Sequence, residues 1–188
     1  RGNRAISAPY EPGSVEKVLT AAALIDSGTA TPNTRVVVPS RISSGGNSIK
    51  DFFSHGVLHY TMRGVIADSS NIGTVLLTRQ LNKQTLHDYL VSFGLGHTTS
   101  IELPGESAGI MPKADMPDGQ RDRVAFGQAI AVTGIQEAAA VAGIVNGGIY
   151  NPPTVIKTAT DGEGREVAVP RTPQRRVISE KSSAQVRE

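Results

Sequence analysis

The sequence predicts an α+β domain, on three observations. Apolar residues recur at helical spacing in 14–27, 84–93 and 133–146, and each stretch is bounded by residue types that start or stop a helix. Short β-branched runs stand between them, at 34–39 (TRVVVP) and on both sides of the DGEG turn at 161–164. Hydrophobic residues make up 38% of the 188 and aromatics 4%, enough Val, Ile, Leu and Ala for one core and one domain over 1–188.

Taken in order, Pro12 and Gly13 end an extended approach and a helix starts at Ser14. Val15, Val18, Leu19, Ala22 and Ile25 share one face of it, and Gly28 falls just past its end. The run 34–39 lies between prolines, which suits an edge strand; 43–48 (SSGGNS) is a turn, and 49–60 has no clear period. Helices are expected at 61–67 and 72–81, with Asp68, Ser69, Ser70 and Asn71 as the joint, because four side chains that compete for backbone hydrogen bonds break a helix. Leu86, Tyr89, Leu90 and Phe93 line the helix at 84–93, which Gly94 closes. The stretch 96–123, rich in Gly, Pro and Asp, reads as a long functional loop or lid with a short strand candidate at 101–103. Thr133 and Gln136 form a capping-box pattern before a helix whose inward face should be Ile135, Ala138, Ala139, Ala142 and Val145. The segment 152–170 reads as a hairpin, and Ser179 as the N-cap of a last helix.

Composition excludes several classes. With 19 basic against 17 acidic residues there is no electrostatic case for nucleic acid or a membrane surface, and Arg171, Arg175 and Arg176 read as a solvated cluster. The absence of cysteine rules out disulfides and thiolate metal sites, and no run of 18 apolar residues exists to span a bilayer. His55 and His59 are four apart but lack the intervening glutamate of a metalloprotease helix, so no metal is expected. Gly94-Leu95-Gly96 is an incomplete dinucleotide loop, and Glu102, Glu106 and Asp115 read as solvated loop charges.

Chemistry is better placed at Ser14 and Lys17, three apart and therefore neighbours on one helical turn. A serine hydroxyl needs an adjacent base, and a lysine serves when burial depresses its pKa enough to leave the amine neutral. The helix N-terminus favours negative charge forming on the serine oxygen. Serine is also a good N-cap, so the pair alone is a weak signal. Ser69 and Asn71 are the second candidate: a hydroxyl two residues from a carboxamide, on a joint between helices, could relay a proton and orient an amine or an amide.

The order of YEPGSVEK at 10–17, SSN at 69–71, LPGE at 103–106, AFGQAIAVTGIQ at 125–136 and RRVISE at 175–180 resembles the transpeptidase domain of penicillin-binding proteins. The likeness is to the class B enzymes of division and elongation, and it runs through nearly all of the chain. It implies a serine D,D-transpeptidase in which Ser14 attacks the bond between the two terminal D-alanines of a peptidoglycan stem peptide. By that likeness Lys17 is the base, Ser69 relays a proton to the leaving amine, and Asn71 holds Lys17 and the substrate amide. β-Lactams would acylate the same serine, with no cofactor. The resemblance also implies a place on the extracytoplasmic face of the bacterial membrane, beside a glycosyltransferase and division or elongation scaffold proteins. Two other readings are a β-lactamase-like serine hydrolase and a non-catalytic interaction module.

The family's third motif, Lys-Thr/Ser-Gly, has only Lys157-Thr158-Ala159 as a near match, too early and without the glycine. The expectation is therefore the helix-rich centre of the domain without most of its antiparallel sheet. Without the second oxyanion donor that the motif's strand carries, a polypeptide ending at Glu188 is expected to acylate feebly, since one lost donor costs about 100- to 1000-fold.

Overall fold

The computed structural model describes residues 2–188 and is α+β. A short helix α1 (Arg4–Ser7) precedes a 3₁₀ turn, Gly13–Val15, which runs directly into α2 (Glu16–Asp26). Strands β1 (Arg35–Val38), β2 (Ile42–Ser44), β3 (Asn47–Ile49) and β4 (Leu58–Thr61) follow, then α3 (Met62–Ala67), α4 (Asn71–Thr78), α5 (Lys83–Ser92) and α6 (Asp118–Val124). The last third holds α7 (Gly134–Val145), β5 (Ile149–Tyr150), β6 (Ala159–Thr160), β7 (Glu166–Val167), β8 (Arg175–Arg176) and α8 (Glu180–Arg187). All described ladders are antiparallel and two-stranded, pairing β1 with β4, β2 with β3, β5 with β8 and β6 with β7.

Helix α2 is the axis of the molecule, packed by α4, α5, α7 and α8. Its residues Leu19 to Ile25 are all buried, so it is wrapped on every side and not amphipathic. The predicted single face is thus corrected: Val15 is 47% exposed, whereas Glu16 and Lys17 are 1% and 2%. Around α2 the core is built from Leu24, Leu86, Leu90, Phe93, Val132 and Ile144. A smaller cluster of Val38, Ile49, Ile72, Val75 and Phe126 fills the space between β1 and α4.

Several expectations hold. Gly28 has φ +74° at the end of α2, Thr133 and Gln136 form a reciprocal capping box, and the Ser179 hydroxyl accepts from the Ser182 N–H. Others are corrected. The stretch 43–48 is the tip of the β2–β3 hairpin, not a bare turn. The stretch 96–123 has no strand at 101–103; it contains α6 and is pinned by an Ile110–Ala131 bridge, with Ile101 and Met116 buried. Helix α7 is rotated from the predicted face: Ala138 and Ala142 are exposed, while Gln136, Ala140, Gly143 and Ile144 are buried. Periodicity fails there because small residues surround the helix and do not mark a side.

The basic cluster is exposed, as expected, and its side chains are also anchored: Arg175 stacks 3.9 Å over the Tyr150 ring and donates to the Ser92 carbonyl, while Arg176 donates to the Gly147 carbonyl. Loop carboxylates act as staples, with Glu106 accepting from the Thr99 backbone at 2.6 Å and Glu102 from Thr154 at 2.8 Å. Lys157 and Thr158 stand before β6 on the exposed β6–β7 hairpin. At Asp122, 1% exposed, burial raises the carboxyl pKa, but Arg79, Ser44 and Arg121 overcome this and hold it below the ordinary range. That group ties α6 to α4 and to the β2–β3 hairpin.

The turn before α2 is fastened by a backbone contact. Gly13 donates to the Gly127 carbonyl at 2.9 Å, and a Cβ on Gly127 would lie 2.0 Å from the Gly13 oxygen. Gly13 itself, at φ +57°, has open space around its missing Cβ. Gly127→Ala should therefore cost on the order of 3 kcal/mol or more, against roughly 1–2 kcal/mol for Gly13→Ala, a ranking checked by urea denaturation. Burial, reinforced by the nearby Glu137, raises the Glu16 pKa well above the ordinary range. Its protonated form is the one the fold favours, so this contribution is full at acid pH and lost as pH rises through the folded-state value. Glu16→Gln should therefore gain Tm relative to wild type between pH 5 and pH 8, by about 2–4 °C per kcal/mol recovered, read by calorimetry.

Candidate active site

Three elements bring the predicted residues together. Ser14 lies in the 3₁₀ turn and is exposed, and Lys17 follows one turn later, buried in the first turn of α2. Ser69 arrives from the α3–α4 joint. There the Ser69 N–H bonds Ile66 O at 3.1 Å and the Ser70 N–H bonds Val65 O at 2.9 Å, the paired bonds of a Schellman C-cap. Ser69 thus occupies the position usually given to glycine, with φ +53°, a left-handed conformation that costs a non-glycine residue about 1–2 kcal/mol. The next residue, Ser70, at once N-caps α4 through the Gly73 N–H. One residue ends a helix and its neighbour starts another, so the Ser69 side chain is thrust from the apex.

The Lys17 Nζ lies 3.3 Å from Ser14 Oγ, 2.9 Å from Ser69 Oγ and 2.5 Å from the Ser69 carbonyl oxygen. Ser69 Oγ donates to Ser14 Oγ at 3.0 Å, closing a triangle of two hydroxyls and an amine. Burial brings the Lys17 pKa down to about 8, with the negative charge of Asp51 opposing part of the drop. At neutral pH about a tenth of such a group is the free amine, enough to take a proton from Ser14. The Ser14 N–H sits in the first turn of the helix, where backbone donors have no intrahelical carbonyl and can receive an oxyanion.

Asn71 is the first residue of α4, and its amide donates to the Lys50 carbonyl at 3.2 Å rather than to Lys17. The expectation that it holds Lys17 is corrected: the Ser69 carbonyl and hydroxyl do so, because the left-handed turn aims both at the amine. Asn71 instead lines a polar cavity of about 400 Å³ with Glu11, Lys50, Arg123 and Gln128. The approach to Ser14 is pinned to the far wall, with Tyr10 pairing Val132 through both backbone bonds and Glu11 accepting from the Ala129 N–H at 2.9 Å. An apolar cavity of about 240 Å³ between α2, α3 and α8 includes none of Ser14, Lys17, Ser69 and Asn71.

Sequence reasoning missed Asp51, whose carboxylate accepts from the Ser70 hydroxyl at 2.7 Å and the Ile72 N–H at 3.0 Å. It lies in the stretch without period, and nothing in its spacing marks it. His55, considered as half of a metal pair, bonds Asp51 at 3.1 Å, while His59 stands on β4 opposite Val37. Glu16 and Glu137, each with one buried oxygen that has no hydrogen-bond partner, were also missed.

The chain is similar in sequence and in fold to known proteins. The chain is 38% identical over 188 residues to penicillin-binding protein PbpB of Mycobacterium tuberculosis, covering all of this chain and 28% of that protein. It is 34% identical over 167 residues to the peptidoglycan D,D-transpeptidase FtsI of Escherichia coli K12, covering 88% of this chain and 28% of that one. The chain thus spans under a third of the length of either relative. Among solved structures, penicillin-binding protein 3 of M. tuberculosis complexed with aztreonam superimposes with a TM-score of 0.94 at 38% identity, covering 99% of this chain and 42% of that one. The same protein has been solved with ampicillin. A peptidoglycan synthetase of Bifidobacterium adolescentis gives a TM-score of 0.93 at 32% identity, over 98% and 34% of the two chains. With the penicillin-binding protein transpeptidase domain model matching residues 1–188, the chain belongs to that family.

Proposed function

We propose that this chain carries the acylation centre of a peptidoglycan D,D-transpeptidase, with Ser14 as nucleophile, Lys17 as its base and Ser69 as proton relay. The observation that carries the reading is an exposed serine hydroxyl within 3.3 Å of a buried lysine amine whose pKa is about 8. In the first step Ser14 Oγ attacks the carbonyl of the penultimate D-alanine and its proton passes to Lys17. The oxyanion is received at the Ser14 N–H, and collapse breaks the peptide bond. The leaving D-alanine amine takes its proton through Ser69 Oγ, which touches both Lys17 and Ser14. An amine of a neighbouring stem peptide then attacks the ester, forms the cross-link and returns the proton and Ser14.

Asn71, on the polar cavity beside this triangle, is proposed to meet the substrate backbone amide. β-Lactams, which mimic the D-alanyl-D-alanine end, are proposed to acylate Ser14; the aztreonam and ampicillin complexes of the mycobacterial relative support this. With that chemistry goes a proposed place outside the cytoplasmic membrane, where peptidoglycan is cross-linked, beside a glycosyltransferase and division or elongation proteins. Among the described residues no helix is long and apolar enough to cross a membrane.

Labelling with a fluorescent penicillin tests the reading. Ser14→Ala should abolish the covalent label, and Lys17→Ala should slow labelling by about 100- to 10,000-fold, the usual contribution of a general base. Labelling by wild type at the Ser14→Ala rate would refute the proposal. Because neutral Lys17 is the competent form and its pKa is near 8, the rate should rise about tenfold per pH unit below 7 and level off above about 8.5. A rate independent of pH between 6 and 9 would remove Lys17 from the base role.

A further inference from the structure

The Ser69 hydroxyl does its proposed work from an apex that costs a serine strain, a left-handed turn held locally by the Schellman bonds and the α4 N-cap, and a side chain from outside the joint adds to that hold. The holder is visible. The Asp51 side chain is fully buried; its two oxygens accept from the Ser70 hydroxyl and the Ile72 N–H, and one of them stands 3.1 Å from His55 Nε2, whose ring places Nδ1 2.6 Å from the Gly56 carbonyl. These partners flank the apex on its C-terminal side: Ser70 follows Ser69 directly, and Ile72 lies in the first turn of α4. An ionised carboxylate accepts from the Ser70 hydroxyl and the Ile72 N–H on separate oxygens, whereas a carboxamide would turn an N–H toward one of them.

We propose that Asp51 is a positioning residue for the Ser14–Lys17–Ser69 triangle: it clamps the α3–α4 joint that presents Ser69, and its buried charge acts on Lys17 through that joint. The charge matters because burial alone would strip Lys17 of its proton too readily, leaving it a weak base. Asp51 is the carboxylate whose field reaches Lys17 and opposes that loss. The other charged groups around these elements face elsewhere or lie in solvent. Asp68, next to Ser69, accepts from the Tyr60 hydroxyl. Glu16, on α2 beside Lys17, faces Glu137 on α7. His55 is the imidazole on Asp51 itself. Lys50 is exposed, and it is its backbone carbonyl that Asn71 engages.

The catalytic meaning of this role rests on the transpeptidase reading, so the experiment carries a readout that needs no substrate. The Lys17 amine is titrated by carbon-13 NMR of labelled lysine, its signal assigned by loss in Lys17→Ala, and the pH profile of penicillin acylation is recorded in parallel. In Asp51→Asn the Lys17 midpoint should fall by about half a pH unit or more, since an anion that favours the charged amine is gone. The rising limb of acylation should move to lower pH with it, and the plateau rate should drop about tenfold or more because Ser69 is no longer held. In Asp51→Glu, which keeps the charge and lengthens the clamp, the midpoint should stay while the plateau drops by a similar factor. Each variant is decisive alone, so failure of one to fold leaves the other. An unmoved midpoint or a plateau within about twofold of wild type in Asp51→Asn, or a wild-type plateau in Asp51→Glu, overturns the proposal. A shifted midpoint with no acylation in wild type would instead refute the transpeptidase reading and leave the charge coupling standing.

Discussion

A lysine amine taken out of water directly beneath a serine that remains in water is the constraint on which the rest of the structure depends. Burying an ammonium is costly unless it is paired or neutral. The molecule meets this in both ways: the Ser69 carbonyl and hydroxyl and the charge of Asp51 favour the protonated form, while burial brings the pKa down to about 8 so that the neutral amine is within reach. Helix α2 must therefore be covered on the Lys17 side by the α3–α4 joint and elsewhere by α5, α7 and α8. That is why it is buried all round.

The neighbourhood is arranged around polarity more than apolar packing. Ser69 is held left-handed, Glu16 is held protonated, and two carboxyl oxygens remain unpaired. Strained and desolvated groups persist only where surroundings over-determine them. Here the surroundings are the Schellman bonds of α3, the N-cap of α4, and the backbone contact between Gly13 and Gly127, which keeps the nucleophile's turn against the far wall. The small residues of 125–136 let two segments approach closely enough to make that wall.

Local signals translated well where they describe local physics. The helix break at 68–71, the capping box at Thr133, the N-cap at Ser179 and the left-handed Gly28 depend on hydrogen bonds within a few residues, and all were legible. The pairing of Ser14 with Lys17 was legible for the same reason, being a matter of one helical turn. Faces were less so. The buried side of α7 was misjudged because alanine and glycine carry too little hydrophobic contrast to mark a direction, and α2 has no exposed side beyond its first turn to contrast with.

The sequence by itself determined the class of fold, the serine and its lysine, and the joint that carries Ser69 and Asn71, because each is encoded in spacings of at most a few residues. Only the tertiary structure decided that Ser69 and not Asn71 grips Lys17, that Asp51 clamps the joint, and that Glu16 is out of water. Those facts depend on contacts across about twenty to more than a hundred residues, and on how far water is excluded. No local pattern records either.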